Sequence, residues 1–142
     1  FVDLDAEIER ISGLTVKAFF EASGEAAFRE REALFLAGTE SLPAAVVATG
    51  GGSFISESNR GVVRLLGTAV FLDIPFSAVA RRLHGKTDRP LFGDPQQAAR
   101  LFAERAPFYR MGSIPVTLDG GETVEEATDR VLIALDGRPP RV

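Results

Sequence analysis

Three apolar runs with the character of β-strands are spread along the chain. They occupy 45–48, 68–73 and 114–118, and the short segment before Asp5 has the character of the end of another strand. The first run is apolar at every position, which is the pattern of a strand buried on both faces. Strands that alternate with helical segments indicate a parallel sheet covered by helices on both faces, so the pattern predicts an α/β fold.

Capping residues and helical spacing fill the intervals between these strands. Asp5 is predicted to cap a first helix that ends at Gly13. Thr123-Val124-Glu125-Glu126 has the spacing of a capping box and predicts the start of the last helix. The predicted helices are 5–11, a segment that begins at 15, 24–38, 57–66, a segment that ends near 83, 96–108, and a segment that begins at 123.

One of these helices, 24–38, carries a marked apolar face. Ala27 and Leu34 lie seven residues apart, and so do Phe28 and Phe35. Because a spacing of seven places side chains on the same side of a helix, these four are predicted to be buried.

Composition limits the possible functions without identifying one. The chain has 142 residues, of which 45% are hydrophobic, as expected for one domain with a packed core. It contains no cysteine, which excludes disulfides, thiolate metal sites and a cysteine nucleophile and fits a cytoplasmic protein. The net charge of −4 provides no broad basic field, and the apolar runs are too short to span a membrane, so neither nucleic acid nor membrane is an expected partner.

Three consecutive glycines, Gly50, Gly51 and Gly52, follow the first apolar run directly after Thr49. Residues without a Cβ let a ligand approach the main chain closely. Open α/β sheets bind ligands beyond the carboxyl ends of their strands, where this turn is predicted to lie. A flexible hairpin turn fits the same residues equally well, so this segment alone leaves both interpretations open.

Two carboxylates, Asp3 and Asp5, stand where the opening strand ends. Beyond the end of a strand a loop can turn both side chains toward one site, although within the strand they would point to opposite faces. Such a pair can hold Mg²⁺ and orient or deprotonate a hydroxyl group. A helix cap next to a solvated acid is the simpler alternative for the pair taken alone.

Three arginines are candidates for binding anions. Arg29 follows Phe28 on a predicted helix, and Arg105 precedes Ala106-Pro107-Phe108-Tyr109. A guanidinium group can bind both oxygens of a carboxylate, so these two beside a glycine-lined crevice indicate a small anionic substrate. Arg89 lies in the polar, glycine- and proline-rich segment 84–95, which is predicted to be a lid over transferred phosphates. Taken singly, each arginine also fits an ordinary surface charge.

Five segments together resemble the shikimate kinase family, in the same order and at compatible spacing. They are F-x-D-x-D-x-x-I-E at 1–9, G-E-x-x-F-R-x-x-E at 24–32, the glycine turn at 49–52, an R-P-L-F lid at 89–92 where the family has R-P-L-L, and R-x-P-x-Y at 105–109. The resemblance implies a three-layer αβα P-loop kinase-like fold with a parallel sheet. It also implies transfer of the ATP γ-phosphate to the 3-hydroxyl of shikimate, with Mg²⁺, on the route to aromatic amino acids.

The resemblance further implies roles on the side of the acceptor substrate. Asp5 would bind the ring hydroxyls and act as, or assist, the catalytic base. Arg29 and Arg105 would clamp the carboxylate of shikimate, and Glu32 would steady the arginines. The turn Gly50, Gly51 and Gly52 would form the floor of the pocket and present backbone N–H groups, and Phe20 and Phe28 would form its wall.

On the nucleotide side, the resemblance implies three further roles. Asp3 would hold Mg²⁺ through water. Arg89 would close onto the phosphates as a catalytic residue that also binds the nucleotide, and Arg82 would lie against the adenine. The family's phosphate-binding loop, G-x-x-x-x-G-K-S/T, does not occur in the chain.

In the family that loop and the central strand before it precede the F-x-D-x-D segment, so both would lie upstream of Phe1. We therefore expect an incomplete kinase-like domain over 1–136, without its first strand and P-loop, and a polar tail at 137–142. The sheet should show a gap between the strands at 45–48 and 69–73. The expected function is that of a monomeric shikimate kinase of which this chain carries the shikimate-binding and lid parts. The alternative is a degenerate module that binds a small carboxylic acid without catalysis.

Overall fold

The computed structural model describes residues 1–83 and 94–137. The described chain divides into two compact units, of which the first contains 1–67 and the second contains the described residues from 68 onward. Each unit is an α/β assembly with one pair of parallel strands. The prediction of a single kinase-like domain over 1–136 stays a prediction.

In the first unit, two short parallel strands are joined by a helical segment. Strand β1 (Val2–Asp3) pairs with β2 (Val47–Ala48), with Val2 opposite Val47 and Asp3 opposite Ala48. The helices of this unit are α1 (Leu4–Ser12), α2 (Val16–Gly38) and α3 (Glu57–Leu66), with 3₁₀ turns at Thr39–Ser41 and Ser53–Ile55. Helix α3 has the predicted bounds.

The first helix begins one residue earlier than predicted. Leu4 is its first residue, and Asp3 is its cap, with Asp3 Oδ1 accepting a hydrogen bond from the Ala6 N–H at 3.1 Å. Asp5 as the cap is therefore wrong. The physical reason is that Leu4 is fully buried in the core, so the chain turns into the helix directly from the strand. Asp5 is thereby a helical residue in the first turn.

Helix α2 contains a break at Gly24, where φ is 78° and ψ is 171°. A positive φ is a conformation that residues with a Cβ rarely adopt, and glycine accepts it readily. The break separates the two helical stretches that were predicted to begin at 15 and 24. Thr15 caps the first stretch by accepting a hydrogen bond from the Ala18 N–H at 3.2 Å.

The core of the first unit is formed by Leu4, Ile8, Phe19, Phe28 and Leu36. The second half of α2 turns Phe28, Glu32 and Leu36 inward, at intervals of four residues. The prediction that Leu34 is buried is wrong, because its side chain is 66% exposed. The buried face of α2 therefore includes the carboxylate of Glu32, which a search for apolar spacing does not detect.

The burial predicted for the strand at 45–48 is also wrong. The structure assigns strand pairing to Val47 and Ala48 alone; these two are half-buried, and Val46 is 70% exposed. The Val46 carbonyl accepts a hydrogen bond from the Val2 N–H at 2.9 Å, but the pairing of the two strands leaves the Val46 side chain in solvent.

The second unit contains a longer parallel pair. Strand β3 (Ala69–Asp73) pairs with β4 (Ser113–Thr117) in an unbroken register from Ala69 opposite Ser113 to Asp73 opposite Thr117. Its helices are α4 (Phe76–Leu83), α5 (Pro95–Arg110) and α6 (Val124–Asp136). Helix α6 begins with the predicted capping box, in which the side chains and backbones of Thr123 and Glu126 exchange hydrogen bonds.

The four strands of the described residues form two separate two-stranded sheets, β1-β2 and β3-β4. The expected gap between the strands at 45–48 and 69–73 stays a prediction. Both pairs are parallel, as the alternation of strands and helices predicted. Among the described helices, none is both long enough and apolar enough to cross a bilayer.

Candidate active site

The glycine turn after β2 and Asp5, which follows β1, lie at the same edge of the parallel pair. A Cβ atom on Gly50 would lie 3.0 Å from Asp5 Oδ1 and 3.3 Å from Glu32 Oε1. The backbone of Gly50 is thus in close reach of two carboxylates that come from two different helices. The structure brings together three of the residues that the sequence assigned to a substrate pocket.

The guanidinium group of Arg29 lies directly against the backbone of Gly52. A Cβ atom on Gly52 would overlap the Cζ and both terminal nitrogens of Arg29. Only glycine leaves room for this approach, so the third glycine of the turn has a steric function. Arg29 and the turn belong to one site.

Two carboxylates hold Arg29, and they differ greatly in burial. Nη1 donates to Glu32 Oε2 at 2.6 Å, whereas Nε and Nη2 donate to Glu25 Oε1 at 3.3 and 2.9 Å. The side chain of Glu32 is fully buried, and that of Glu25 is 63% exposed. Burial lowers the pKa of Arg29, but hydrogen bonds and charge from Glu32 and Glu25 outweigh it and raise that pKa above its ordinary value. Arg29 is therefore a permanent cation.

Phenylalanine rings line the other side of this cation. The Arg29 Cζ lies 5.8 Å from the centre of the Phe20 ring and 5.7 Å from that of Phe28. The two rings stand 4.7 Å apart, and Phe28 also makes an edge-on contact with Phe19 at 5.6 Å. Rings at this distance attract a cation and restrict where it can move. Phe20 and Phe28 thus lie beside Arg29, and their role as the wall of a substrate pocket stays a prediction.

Three residues of this site escaped the sequence analysis: Glu25, Ser53 and Asn59. The hydroxyl of Ser53 donates to Glu32 Oε1, and the Asn59 Nδ2 donates to the Ser53 carbonyl at 3.0 Å. Ser53 and Asn59 are buried. The one available signal was the position of Ser53 directly after the third glycine; nothing in the pattern pointed to Asn59.

Other predicted site residues belong to the second unit or stand apart from this cluster. Arg105 is half-buried within α5. Arg82, in α4, donates from Nη2 to the Gly120 carbonyl at 3.2 Å. Asp3 is exposed and caps α1. Arg89 lies outside the described residues.

The loop that accepts the Arg82 hydrogen bond is organised by a single carboxylate. Glu122 Oε1 accepts from the Asp119 N–H at 2.6 Å and Oε2 from the Gly120 N–H at 2.8 Å, and Arg130 pairs with Oε1 at 2.9 Å. The Asp119 N–H, together with Gly120 and Arg130, holds the pKa of Glu122 below its ordinary value. Glu122 is thus ionised at neutral pH and fixes the turn.

The cluster in the first unit offers a defined chemistry. It combines a cation, a carboxylate beside a glycine backbone, and two aromatic rings, which together suit a small, hydroxylated carboxylic acid. Within 1–83 and 94–137, no group of three or more histidine, cysteine or acidic side chains is arranged to hold a metal. The family model for shikimate kinase matches residues 1–136.

The chain belongs to the shikimate kinase family. It is 36% identical over 141 residues to a shikimate kinase of Ruegeria pomeroyi, covering 97% of this chain and 72% of that protein. It is 36% identical over 142 residues to a shikimate kinase of Halorhodospira halophila, covering 98% of this chain and 80% of that protein. The predicted family is therefore confirmed.

Solved structures of the shikimate kinase family have the same fold. The chain matches the Acinetobacter baumannii shikimate kinase in complex with shikimate with a TM-score of 0.85, 31% identity, and coverage of 97% of this chain and 79% of that one. It matches the Aquifex aeolicus shikimate kinase with a TM-score of 0.82, 32% identity, and coverage of 96% and 81%. These matches confirm the α/β kinase-like fold class with parallel strands. The family uses ATP as the phosphate donor.

Proposed function

We propose that this chain carries the acceptor site for phosphoryl transfer from ATP to the 3-hydroxyl of shikimate. The observation that carries the proposal is the placement of the Arg29 guanidinium on Gly52, beside the carboxylates of Asp5 and Glu32. A protein that is similar over 97% of this chain was solved in complex with shikimate. The site in the first unit has the charge and the apolar wall that such an acid requires.

The carboxylate of shikimate would take the place of Glu25 on Arg29. The Nε and Nη2 atoms of Arg29 form the edge that binds carboxylates side-on, and Glu25 holds that edge in the structure. Glu25 is largely exposed and can turn into solvent, whereas Glu32 is buried and stays on Nη1. We further propose that Arg105 supplies a second cation and Gly51 a backbone N–H.

The hydroxyl groups of the ring would face Asp5. Asp5 is held next to the backbone of Gly50, at the edge where the cation and the aromatic wall also lie. An ionised carboxylate accepts a hydrogen bond from a hydroxyl group and can take its proton. The ring itself would pack on Phe20 and Phe28, so that the carboxylate and the reacting hydroxyl are both fixed.

The described residues fit the nucleotide and metal only in part. Asp3 has the oxygen chemistry that Mg²⁺ prefers, and as a single exposed carboxylate it suits contact through water. We propose that role for Asp3, contact with the transferred phosphates for Arg89, and contact with the adenine for Arg82. The chain contains no G-x-x-x-x-G-K-S/T segment that would cradle phosphates.

We propose that the protein acts in the cytoplasm as a monomer. The lack of cysteine supports a reducing compartment, and the net charge of −4 argues against a nucleic-acid partner. All groups assigned to the shikimate pocket come from one chain, so the proposal needs no second subunit.

The experiment that tests the proposed function is product analysis with the full-length protein. Shikimate, ATP and Mg²⁺ are incubated with the protein, and phosphorus NMR identifies the position of the new phosphate ester. Phosphorylation of the 3-hydroxyl supports the proposal. Binding of shikimate without any phosphate ester would support the alternative, a module that binds a small acid without catalysis.

Adding one methyl group to the turn is expected to weaken shikimate binding. In Gly52→Ala the new Cβ must displace the guanidinium of Arg29, because both cannot occupy the same space. The expected result is at least a tenfold higher Kd for shikimate by titration calorimetry, equivalent to about 1.4 kcal/mol.

Gly61→Ala is the matched control for this substitution. Gly61 lies in α3, and apart from its chain neighbours and the backbone of its own helix, no described heavy atom lies within 4 Å of the Cβ that alanine would add. Its Kd for shikimate is expected to equal that of the wild type. If Gly52→Ala bound shikimate as tightly as Gly61→Ala does, the contact between the Arg29 guanidinium and Gly52 would not be required for shikimate binding.

A further inference from the structure

A buried chain of hydrogen bonds runs from Arg29 away from the substrate pocket. Arg29 Nη1 donates to Glu32 Oε2, and the second oxygen of Glu32 accepts from the Ser53 hydroxyl. The Ser53 carbonyl in turn accepts from Asn59 Nδ2 at 3.0 Å. Glu32, Ser53 and Asn59 are each exposed by 4% or less, so water does not replace any of these bonds.

The chemistry of Ser53 suits this place. A buried carboxylate has two oxygens to satisfy, and a second cation at Oε1 would compete with Arg29 for its negative charge. A hydroxyl satisfies that oxygen as a neutral donor and leaves the charge of Glu32 to Arg29. Since Glu32 is fixed on both sides, the guanidinium that it holds is fixed as well.

Ser53 is itself anchored at three points. Its N–H donates to the Gly50 carbonyl at 3.1 Å, which closes the glycine turn. Its carbonyl is held by Asn59, a residue of α3. The same serine therefore ties the glycine turn, the buried carboxylate and helix α3 to one another.

We propose that Ser53 is a positioning residue for the acceptor substrate, acting through Glu32 on Arg29. This inference rests on the proposed function, because it concerns how the same pocket binds a carboxylate. Ser53 makes no contact with the substrate in this account. Its hydroxyl holds Glu32 in the one orientation that presents Arg29 against Gly52.

The test is the effect of Ser53→Ala on substrate binding in the full-length protein. We expect the KM for shikimate to rise about tenfold, with the KM for ATP and kcat within twofold of the wild type. The reason is that Arg29 loses its fixed orientation, while the groups that act on the reacting hydroxyl remain. Equilibrium titration with shikimate alone is expected to show the same rise in Kd.

Ser56→Ala serves as the control for lost stability. Ser56 caps α3 by accepting from the Asn59 N–H at 3.4 Å, and the structure shows no hydrogen bond from it to Glu32 among the described residues. Its substitution is expected to lower the unfolding temperature and leave the Kd for shikimate unchanged. If Ser53→Ala also lowered only the unfolding temperature, Ser53 would be a structural residue and the inference would be wrong.

A double variant distinguishes action through Glu32 from a general disturbance. If Ser53 works through Glu32, Ser53→Ala combined with Glu32→Gln should bind shikimate no more weakly than Glu32→Gln does alone. If the fold-increase in Kd of the double variant equalled the product of the increases in the two single variants, the inference would be wrong. Failure of the wild type to bind shikimate would instead contradict the proposed function, so the two failures are distinguishable.

Discussion

Replacing Asp5 by asparagine is expected to lower kcat by about 100- to 10,000-fold, the range that a general base contributes. Asparagine has nearly the same shape as aspartate and keeps an oxygen that accepts a hydrogen bond. It cannot take a proton from the attacking hydroxyl. The substitution therefore removes the proposed chemistry of Asp5 and leaves its place beside Gly50 nearly unchanged.

The measurement is steady-state phosphorylation of shikimate by the full-length protein, with KM determined separately for each substrate. The KM for shikimate should change little, because the hydrogen bond to the ring hydroxyl persists. Glu7→Gln is the matched control, since Glu7 lies on the same helix and pairs with Arg10. If the kcat of Asp5→Asn were within threefold of that of Glu7→Gln, Asp5 would not be the catalytic base.

Replacing Arg29 by alanine is expected to raise the Kd for shikimate by at least about 30-fold. Truncating one partner of a buried, hydrogen-bonded charge pair costs about 2 kcal/mol or more, and each 1.4 kcal/mol corresponds to a factor of ten. The Kd of Arg29→Lys for shikimate should lie between those of the wild type and Arg29→Ala. Lysine keeps the charge but lacks the forked edge that binds a carboxylate side-on.

Arg31→Ala is the control for Arg29, because it removes an exposed arginine from the same helix two residues away. Its Kd for shikimate should equal that of the wild type. Arg29→Ala also leaves Glu32 buried without its cation, so its unfolding temperature is expected to fall. Binding is therefore compared at a temperature at which thermal unfolding shows every variant to be folded. Equal affinities of Arg29→Ala and Arg31→Ala would exclude Arg29 from the pocket.

Local signals predicted the helix boundaries well. Helix α3 begins and ends at the predicted residues, and α6 begins with the capping box at Thr123 and Glu126. These boundaries depend on hydrogen bonds between residues three or four apart, which the sequence displays directly. The start of α1 was missed by one residue because burial of Leu4, a tertiary effect, made Asp3 rather than Asp5 the cap.

Burial on α2 could not be predicted from apolar spacing. Leu34 has the right spacing and faces solvent, whereas the charged Glu32 is fully buried. The carboxylate is tolerated there because Arg29 and the Ser53 hydroxyl satisfy it, and Ser53 lies 21 residues away in sequence. Only the folded chain shows that the two residues meet.

Several residues assigned to the acceptor side lie close together in the structure, and their roles in binding shikimate stay predictions. Asp5, Arg29, Glu32 and the glycines were each assigned by resemblance, and the structure brings Asp5, Glu32 and Gly50 together and places Arg29 on Gly52. Arg82 and Arg105 belong to the second unit, so their roles in the same reaction stay predictions. The position of Glu25 on the carboxylate-binding edge of Arg29 was not foreseen, because an exposed acid at that spacing fits any helix surface.

The most direct test of the central claim compares shikimate with its primary amide in equilibrium titrations. The amide keeps the ring and its hydroxyls and removes only the negative charge that Arg29 is proposed to bind. We predict that the wild-type protein binds the amide at least tenfold more weakly than shikimate. In Arg29→Ala the difference between the two affinities should become smaller, because only the second proposed cation, Arg105, is left for the carboxylate. Equal affinity of the wild type for shikimate and its amide would contradict the account.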